Sequence, residues 1–223
     1  MREVVFDTET TGLDPAAGHR VVEIGCVELL NHMPTGETRQ WYLNPQRDMP
    51  EEAFRVHGLS EEFLADKPIF AVVADDFLEF VGGAVLIAHN ASFDMRFINA
   101  ELAALDRPNL PQDRMLDTIA IARRKIPGAQ YSLDALCRRF DIDLSAREKH
   151  GALLDAELLA EVYLELLGGR QPGLVLASEA KGSTSPQPAD RHARTPRAHA
   201  ASAEEEAIHQ VFVAKMKDPI WDK

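Results

Sequence analysis

The sequence predicts an α/β fold built on a mixed sheet, with an N-terminal antiparallel meander and flanking helices. Three observations carry that prediction. Residues 2–43 hold three apolar stretches separated by turn residues, the pattern of adjacent strands. Between residues 70 and 167 the apolar spacing turns helical, interrupted by one short apolar run. Residues 177–202 then lose almost every large apolar side chain, so the folded part ends before them.

Taken in order, residues 2–8 (REVVFDT) read as a buried strand, with 20–30 (RVVEIGCVELL) and 37–43 (ETRQWYL) as its partners. Turns are expected at Asp14-Pro15 and around Pro34–Gly36. A helix is expected over 70–82, a short strand over 85–88 (VLIA), and a second helix over 92–105 with Ser92 as its N-cap. Shorter helices follow at 117–125, capped by Asp117, and at 132–140, capped by Ser132. The last helix of the domain, 151–167 (GALLDAELLAEVYLELL), stops at Gly168-Gly169. Residues 177–202 have the Pro, Ser, Ala and Arg content of a disordered linker. Beyond it, 203–217 regains helical spacing, with Ile208, Val211, Phe212 and Met216 on one face, acids at the start and lysines at the end. Such a lone amphipathic helix either docks on a partner or packs back on its own domain.

Composition narrows the classes. The chain has 223 residues, 45% hydrophobic and 27% charged, enough for one α/β domain and an appendage. No apolar run approaches the roughly 20 residues that span a bilayer, and Arg2-Glu3 begins no signal-peptide core, so a cytosolic protein is expected. Cys26 and Cys137 lie far apart in no metal-binding spacing and read as reduced, buried residues. The net charge of −12 argues against tight unaided binding to a polyanion. From Gln171 onward seven basic residues balance seven acidic ones, so residues 1–170 carry the whole −12. An acidic domain that handles nucleic acid needs bound cations, a tethering partner, or both.

The acids are patterned. Asp7 and Glu9, at i and i+2 of the first strand, leave the same face. On a core face they would cost several kcal/mol each unless paired or metal-bound, and a hard divalent cation such as Mg²⁺ takes oxygen ligands of this kind. The alternative is a strand that frays at Asp7 into solvent. In AHNASFDMRF (88–97) a strand runs out into a turn, and Asp94 falls in the first helical turn, where an acid can also serve the helix dipole. In HGALLDAELLAEVY (150–163) Asp155 lies one turn into a helix whose Leu154, Leu158, Leu159, Val162 and Leu166 face the sheet. His150 precedes that helix beside Gly151.

Together FDTETTG, HNASFD and HGALLDA resemble the DEDD superfamily of 3′→5′ exonucleases, with their ribonuclease H-like fold, and the spacing of His150 and Asp155 is that of the histidine subclass. VHGLS (56–60), PGAQYSLDAL (127–136) and HGALLDAELLAEVYL (150–164) are similar to the epsilon proofreading subunits of bacterial DNA polymerase III, over about residues 1–176. The resemblance implies a metal-dependent exonuclease that removes mismatched nucleotides from a DNA 3′ end. Asp7, Glu9, Asp94 and Asp155 would hold two divalent cations, Mg²⁺ or Mn²⁺, and His150 would be the general base. It also implies that Glu52 and His57, with Asp7, Glu9 and Asp155, contact the terminal nucleotide, and that Thr10 to Leu13 lie along its sugar and base.

By the same resemblance, residues 1–170 would be the exonuclease domain. Residues 171–176, with Gln171, Leu174 and Leu176, would be a sliding-clamp-binding peptide. Residues 177–202 would be the linker, and 203–223, with Ile208, Phe212 and Trp221, would bind the polymerase catalytic subunit. The family also suggests a small accessory subunit on the nuclease domain. Two rivals stand beside this reading: a free-standing exonuclease acting on RNA or short oligonucleotides, and a nucleic-acid-binding or scaffold module with a decayed site. The first would not need the appended segment, and the second would be expected to lack one of the acids or the histidine.

Overall fold

The structure, a computed structural model, describes residues 1–145, 147, 149–169 and 200–216. The chain forms two units, Met1–Leu174 and Val175–Lys223. The first holds a five-stranded sheet: β1 (Arg2–Thr10), β2 (Val21–Leu30), β3 (Met33–Tyr42), β4 (Val85–Ala88) and β5 (Met115–Asp117), in the order β3-β2-β1-β4-β5. The β1–β2 and β2–β3 pairs are antiparallel, while β4 pairs parallel to both β1 and β5. This is the expected mixed sheet with its N-terminal meander.

Helices cover both faces, which is why the strands read as apolar runs rather than alternating ones. Val4 and Phe6 of β1 point into one core with α3 (Phe70–Val81) and α4 (Ala91–Ala103). Val5 points into the other, with α5 (Thr118–Lys125), α6 (Leu133–Arg139) and α7 (Ala152–Leu167). Each fully buried Phe, Leu or Ile there contributes about 1.5–3 kcal/mol. Cys26 and Cys137 are buried and free, as expected.

Several local expectations need correction. The turn between β2 and β3 is at Asn31-His32, both with positive φ, and Pro34–Gly36 lies inside β3. The N-cap of α4 is Asn90 in the left-handed region, and Ser92 sits within the first turn. Two helices, α1 (Glu51–His57) and α2 (Glu61–Leu64), and the strand β5 are additions to the expected elements, each too short to display a period. Asp14-Pro15 does turn, as a 3₁₀ helix whose Asp14 carboxylate accepts from the Ala16 N–H.

The seating of α7 fixes where its first turn, and Asp155 with it, can stand. Gly25 of β2 lies opposite Asp7, and a Cβ there would stand 2.2 Å from the Leu153 nitrogen, so the start of α7 rests directly on the sheet backbone. Farther along, Tyr163 donates from its hydroxyl to the buried carboxylate of Glu3 at 2.8 Å. The helix is thereby held against β1 and β2 near both ends.

In the second unit, α8 (Ala203–Val213) starts with a capping box between Ser202 and Glu205, and Ile208 and Phe212 are 64% and 57% exposed. Gln171, Leu174, Leu176 and Trp221 lie outside the described residues. No helix among the described residues is long and apolar enough to cross a membrane.

Candidate active site

The acids meet at the carboxyl ends of the parallel strands, the place where open α/β sheets bind ligands. Pairing of β1 with β4 ends at Val5–Ile87, so Asp7, Thr8 and Glu9 run beyond their neighbour and open a cleft at the sheet edge. Asp7 and Glu9 follow Val5 onto the face covered by α7, and Asp155 in the first turn of α7 comes down beside them. Asp94 reaches the same cleft from the first turn of α4, fixed by the Thr8 hydroxyl, which donates to its Oδ1 at 2.7 Å. Donor atoms of Glu9, His150 and Asp155 lie within 4.8 Å of one another. One cavity of about 670 Å³ is lined by Asp7, Glu9, Asp94, His150 and Asp155 together, so the five residues singled out in three separate motifs share one site.

Their electrostatics explain what the site needs. Burial, then the neighbouring carboxylates Asp94, Glu9 and Asp155, hold Asp7 well above the usual carboxylate range. Burial likewise raises Asp94. Glu9 is pushed up to about 8, first by burial and then by the charges of Asp155, Glu23 and Asp94. Four carboxylates this close cannot all ionise without a counter-charge. An all-oxygen acid set with one imidazole fits hard divalent cations of the Mg²⁺ or Mn²⁺ kind, and the described lining of the cavity includes none of the thiolates that softer metals prefer.

Sequence reasoning missed the local counter-charge. Arg147 donates from Nε and Nη2 to the two oxygens of Asp155, both at 2.6 Å, and from Nη1 to Asp134. Its Nη2 also lies 2.9 Å from His150 Nδ1. Nδ1 of His150 thus stands between the Arg147 guanidinium and the acids, 3.2 Å from Asp155 Oδ2. The position of Arg147, three residues before His150, was the only trace of this role in the sequence. Glu23 was missed as well: its carboxylate, raised by burial, accepts from the backbone N–H groups of Ala152 and Leu153 and so caps α7 from the sheet.

A second cavity of about 480 Å³ adjoins the first, sharing Thr8, Glu9 and Phe93. Thr10, Thr11, Leu13, Glu52 and His57 line it, so α1 brings the two expected nucleotide contacts to the turn after β1. His57 is buried and accepts from the Leu59 N–H at 3.0 Å, and its ring also interacts with the Thr10 backbone. Burial pushes its imidazole down to about 4, leaving it neutral. His150 is tied to the same wall, its backbone N–H donating to the Val56 carbonyl at 3.3 Å.

Comparison with known proteins gives the family. Residues 4–163 match the family model described as Exonuclease (RNase_T). The chain is 56% identical over 174 residues to the DNA polymerase III subunit epsilon of Rickettsia conorii, covering 77% of this chain and 76% of that one. It is 45% identical over 222 residues to the same subunit of Salmonella typhimurium, covering 94% and 90%. Among solved structures it resembles exonuclease X in complex with 5′ overhanging duplex DNA, with a TM-score of 0.58 and 27% identity over 74% of this chain and 90% of that one.

Proposed function

The chain belongs to the epsilon subunits of DNA polymerase III within the exonuclease family, and from that premise we propose how its cleft works. The protein is a metal-dependent 3′→5′ exonuclease with a ribonuclease H-like fold that proofreads DNA within the polymerase III complex. Asp7, Glu9, Asp94 and Asp155, which line one cavity, would hold two divalent cations, Mg²⁺ or Mn²⁺. When bound, such ions stabilise charge on the attacking and leaving oxygens of an in-line displacement. His150, whose ring reaches the acids through Nδ1, accepts the proton of the attacking water. The new P–O bond forms as the bond to the 3′-oxygen of the penultimate nucleotide breaks, and a 5′-mononucleotide leaves.

The cavity beside the acids receives the terminal nucleotide. Thr10 to Leu13 lie along its sugar and base, and Glu52 and the neutral imidazole of His57 offer polar contacts. A single-stranded or frayed end fits, because a paired end must first unpair, and mismatched ends fray more readily. The observation that carries this reading is the convergence of Asp7, Glu9, Asp94, His150 and Asp155 on one cleft adjoining a nucleotide-sized cavity.

Residues 1–170 form the nuclease domain in this reading, and 177–202, most of which lies outside the described residues, joins it to the tail. Gln171, Leu174 and Leu176 dock on the sliding clamp, and 203–223, through Ile208, Phe212 and Trp221, dock on the catalytic subunit. The exposure of Ile208 and Phe212 on α8 supports that last role. Tethering supplies the local concentration that an acidic domain lacks, and the place of action is the bacterial cytoplasm. The test is a Mg²⁺-dependent digestion of matched, mismatched and RNA 3′ ends, with EDTA as control. Faster release from mismatched DNA is expected, and preference for RNA with no mismatch effect would favour the free-standing rival.

A further inference from the structure

The acidic cleft has a wall that takes no part in the hydrolysis. Arg123, Tyr131 and Ser132 line the cavity that holds the acids but not the adjoining nucleotide cavity. Arg123 lies in the last turn of α5, and Tyr131 stands in the loop before α6. The Tyr131 hydroxyl is locked into that loop, accepting from the Gly128 N–H at 3.0 Å and donating to the Ile126 carbonyl at 3.3 Å. Its ring is therefore fixed, and the Arg123 guanidinium lies 5.8 Å from the ring centroid.

Charge singles out this wall. Arg147, the other arginine in the cavity, is committed to Asp155 and Asp134. Arg123 is exposed and joins no carboxylate among the described residues, its described partner being the Tyr131 ring. Around it, residues 123–139 carry Arg123, Arg124, Lys125, Arg138 and Arg139 against one acid, Asp134, in a chain of net charge −12. Asp134 is itself paired with Arg147 and Arg138, so it leaves the basic surface largely uncompensated for an incoming anion.

The direction of the strand follows from the two cavities. With the terminal nucleotide beside Thr10 to Leu13 and the scissile phosphate at the acids, the upstream nucleotides must leave along the remaining wall of the acidic cavity. We propose that Arg123, held by Tyr131, binds a backbone phosphate upstream of the scissile bond, and that the basic segment 123–139 carries the upstream single strand. A phosphate here has a fixed cation that does not depend on the metal ions, and the contact is to backbone rather than base, so it reads no sequence. The inference rests on the exonuclease reading and deepens it.

The test compares two substrates of the full-length chain in Mn²⁺: a single-stranded oligonucleotide, and the p-nitrophenyl ester of thymidine 5′-monophosphate, whose p-nitrophenolate stands where the upstream strand would be. For Arg123→Glu, the ratio of kcat/KM on the oligonucleotide to that on the ester should fall ten-fold or more at low salt. The slope of log kcat/KM against log salt should become shallower by about 0.7 for each phosphate of the single strand that is no longer neutralised. Arg123→Lys should restore most of the ratio, since a point charge suffices for phosphate. An unchanged ratio with an unchanged salt slope would overturn the proposal. So would an equal loss on both substrates, which would place Arg123 at the reacting centre instead. A wild-type chain that cleaves neither substrate would sink the exonuclease reading itself, before the Arg123 comparison begins.

Discussion

Arg147 and Asp155 face each other as a planar fork, both contacts at 2.6 Å, with their side chains 9% and 5% exposed. The pair joins the loop before α7 to the carboxylate of its first turn. Removing the arginine leaves a buried carboxylate uncompensated, which typically costs about 3–5 kcal/mol. Arg147→Ala is therefore expected to lower the melting temperature in EDTA, and saturating Mn²⁺, the remaining source of positive charge, should raise it by more in the variant than in wild type. Equal melting temperatures in EDTA would show that the fork contributes nothing.

His150 and Asp7 should separate chemistry from cation binding. His150→Ala keeps Asp7, Glu9, Asp94 and Asp155 in place, so Mn²⁺ binding by calorimetry is expected to persist while turnover falls roughly 10²–10⁴-fold, the usual worth of a positioned base. Asp7→Ala is expected to lose both. Wild-type digestion of a labelled single-stranded 3′ end by His150→Ala would show the base to be wrongly assigned.

Gly25 is expected to tolerate no side chain. A Cβ would stand 2.2 Å from the Leu153 nitrogen and 2.3 Å from the Ala152 carbonyl carbon, so Gly25→Ala must lift the start of α7 and Asp155 with it. Overpacking of this kind costs about 1–3 kcal/mol or more, and a displacement near 1 Å at a reacting site can cost about 10²-fold in rate. Thermal unfolding and single-strand digestion check both numbers, and near-wild-type activity would mean that α7 does not need its seat.

The buried imidazole of His57 sets one part of the acid stability. Burial lowers its pKa from 6.5 to about 4, so the folded state favours the neutral ring. Above pH 6.5 this contribution is complete. As pH falls toward 4, the unfolded chain binds a proton that the folded chain does not, and stability falls with it. Because the raised carboxylates Asp7, Glu9 and Asp94 act in the opposite direction, the test is the difference: in urea unfolding of the EDTA-treated proteins, His57→Gln should gain stability relative to wild type as pH falls from 7 to 4.5, and an unchanged difference would show that His57 contributes nothing.

Deletion of 203–223 is expected to leave digestion of free single strands intact and to abolish co-purification with the polymerase catalytic subunit. Persistent co-purification of the truncated chain would exclude the tail as the docking element.

The long elements were legible because their periods are long: VVF in β1, VLIA in β4 and the apolar stripe of α7 each announce a buried face. The acids were legible by a different route, since Asp7, Glu9, Asp94, His150 and Asp155 stand in short motifs whose residue types suit one chemistry. The shorter α1, α2 and β5 escaped because four to seven residues span at most two helical turns, and a three-residue strand shows no alternation. The cap of α4 is displaced from Ser92 because Asn90 enters the left-handed region, where an Asn is tolerated and a Ser two residues later also looks like a cap.

By itself, the sequence determined which side chains could hold cations, which histidine could take a proton, and which strand and helices would carry them. Tertiary structure alone decided that Arg147 grips Asp155 and stands against the ring of His150, that Glu23 caps α7 from the neighbouring sheet, and that Arg123 and Tyr131 close the far wall of the cleft. The reason is geometric. Periodicity records which way a side chain points along its own element, but an ion pair or a cavity wall depends on angstrom-level distances between elements, and those are set only when the helices pack on the sheet.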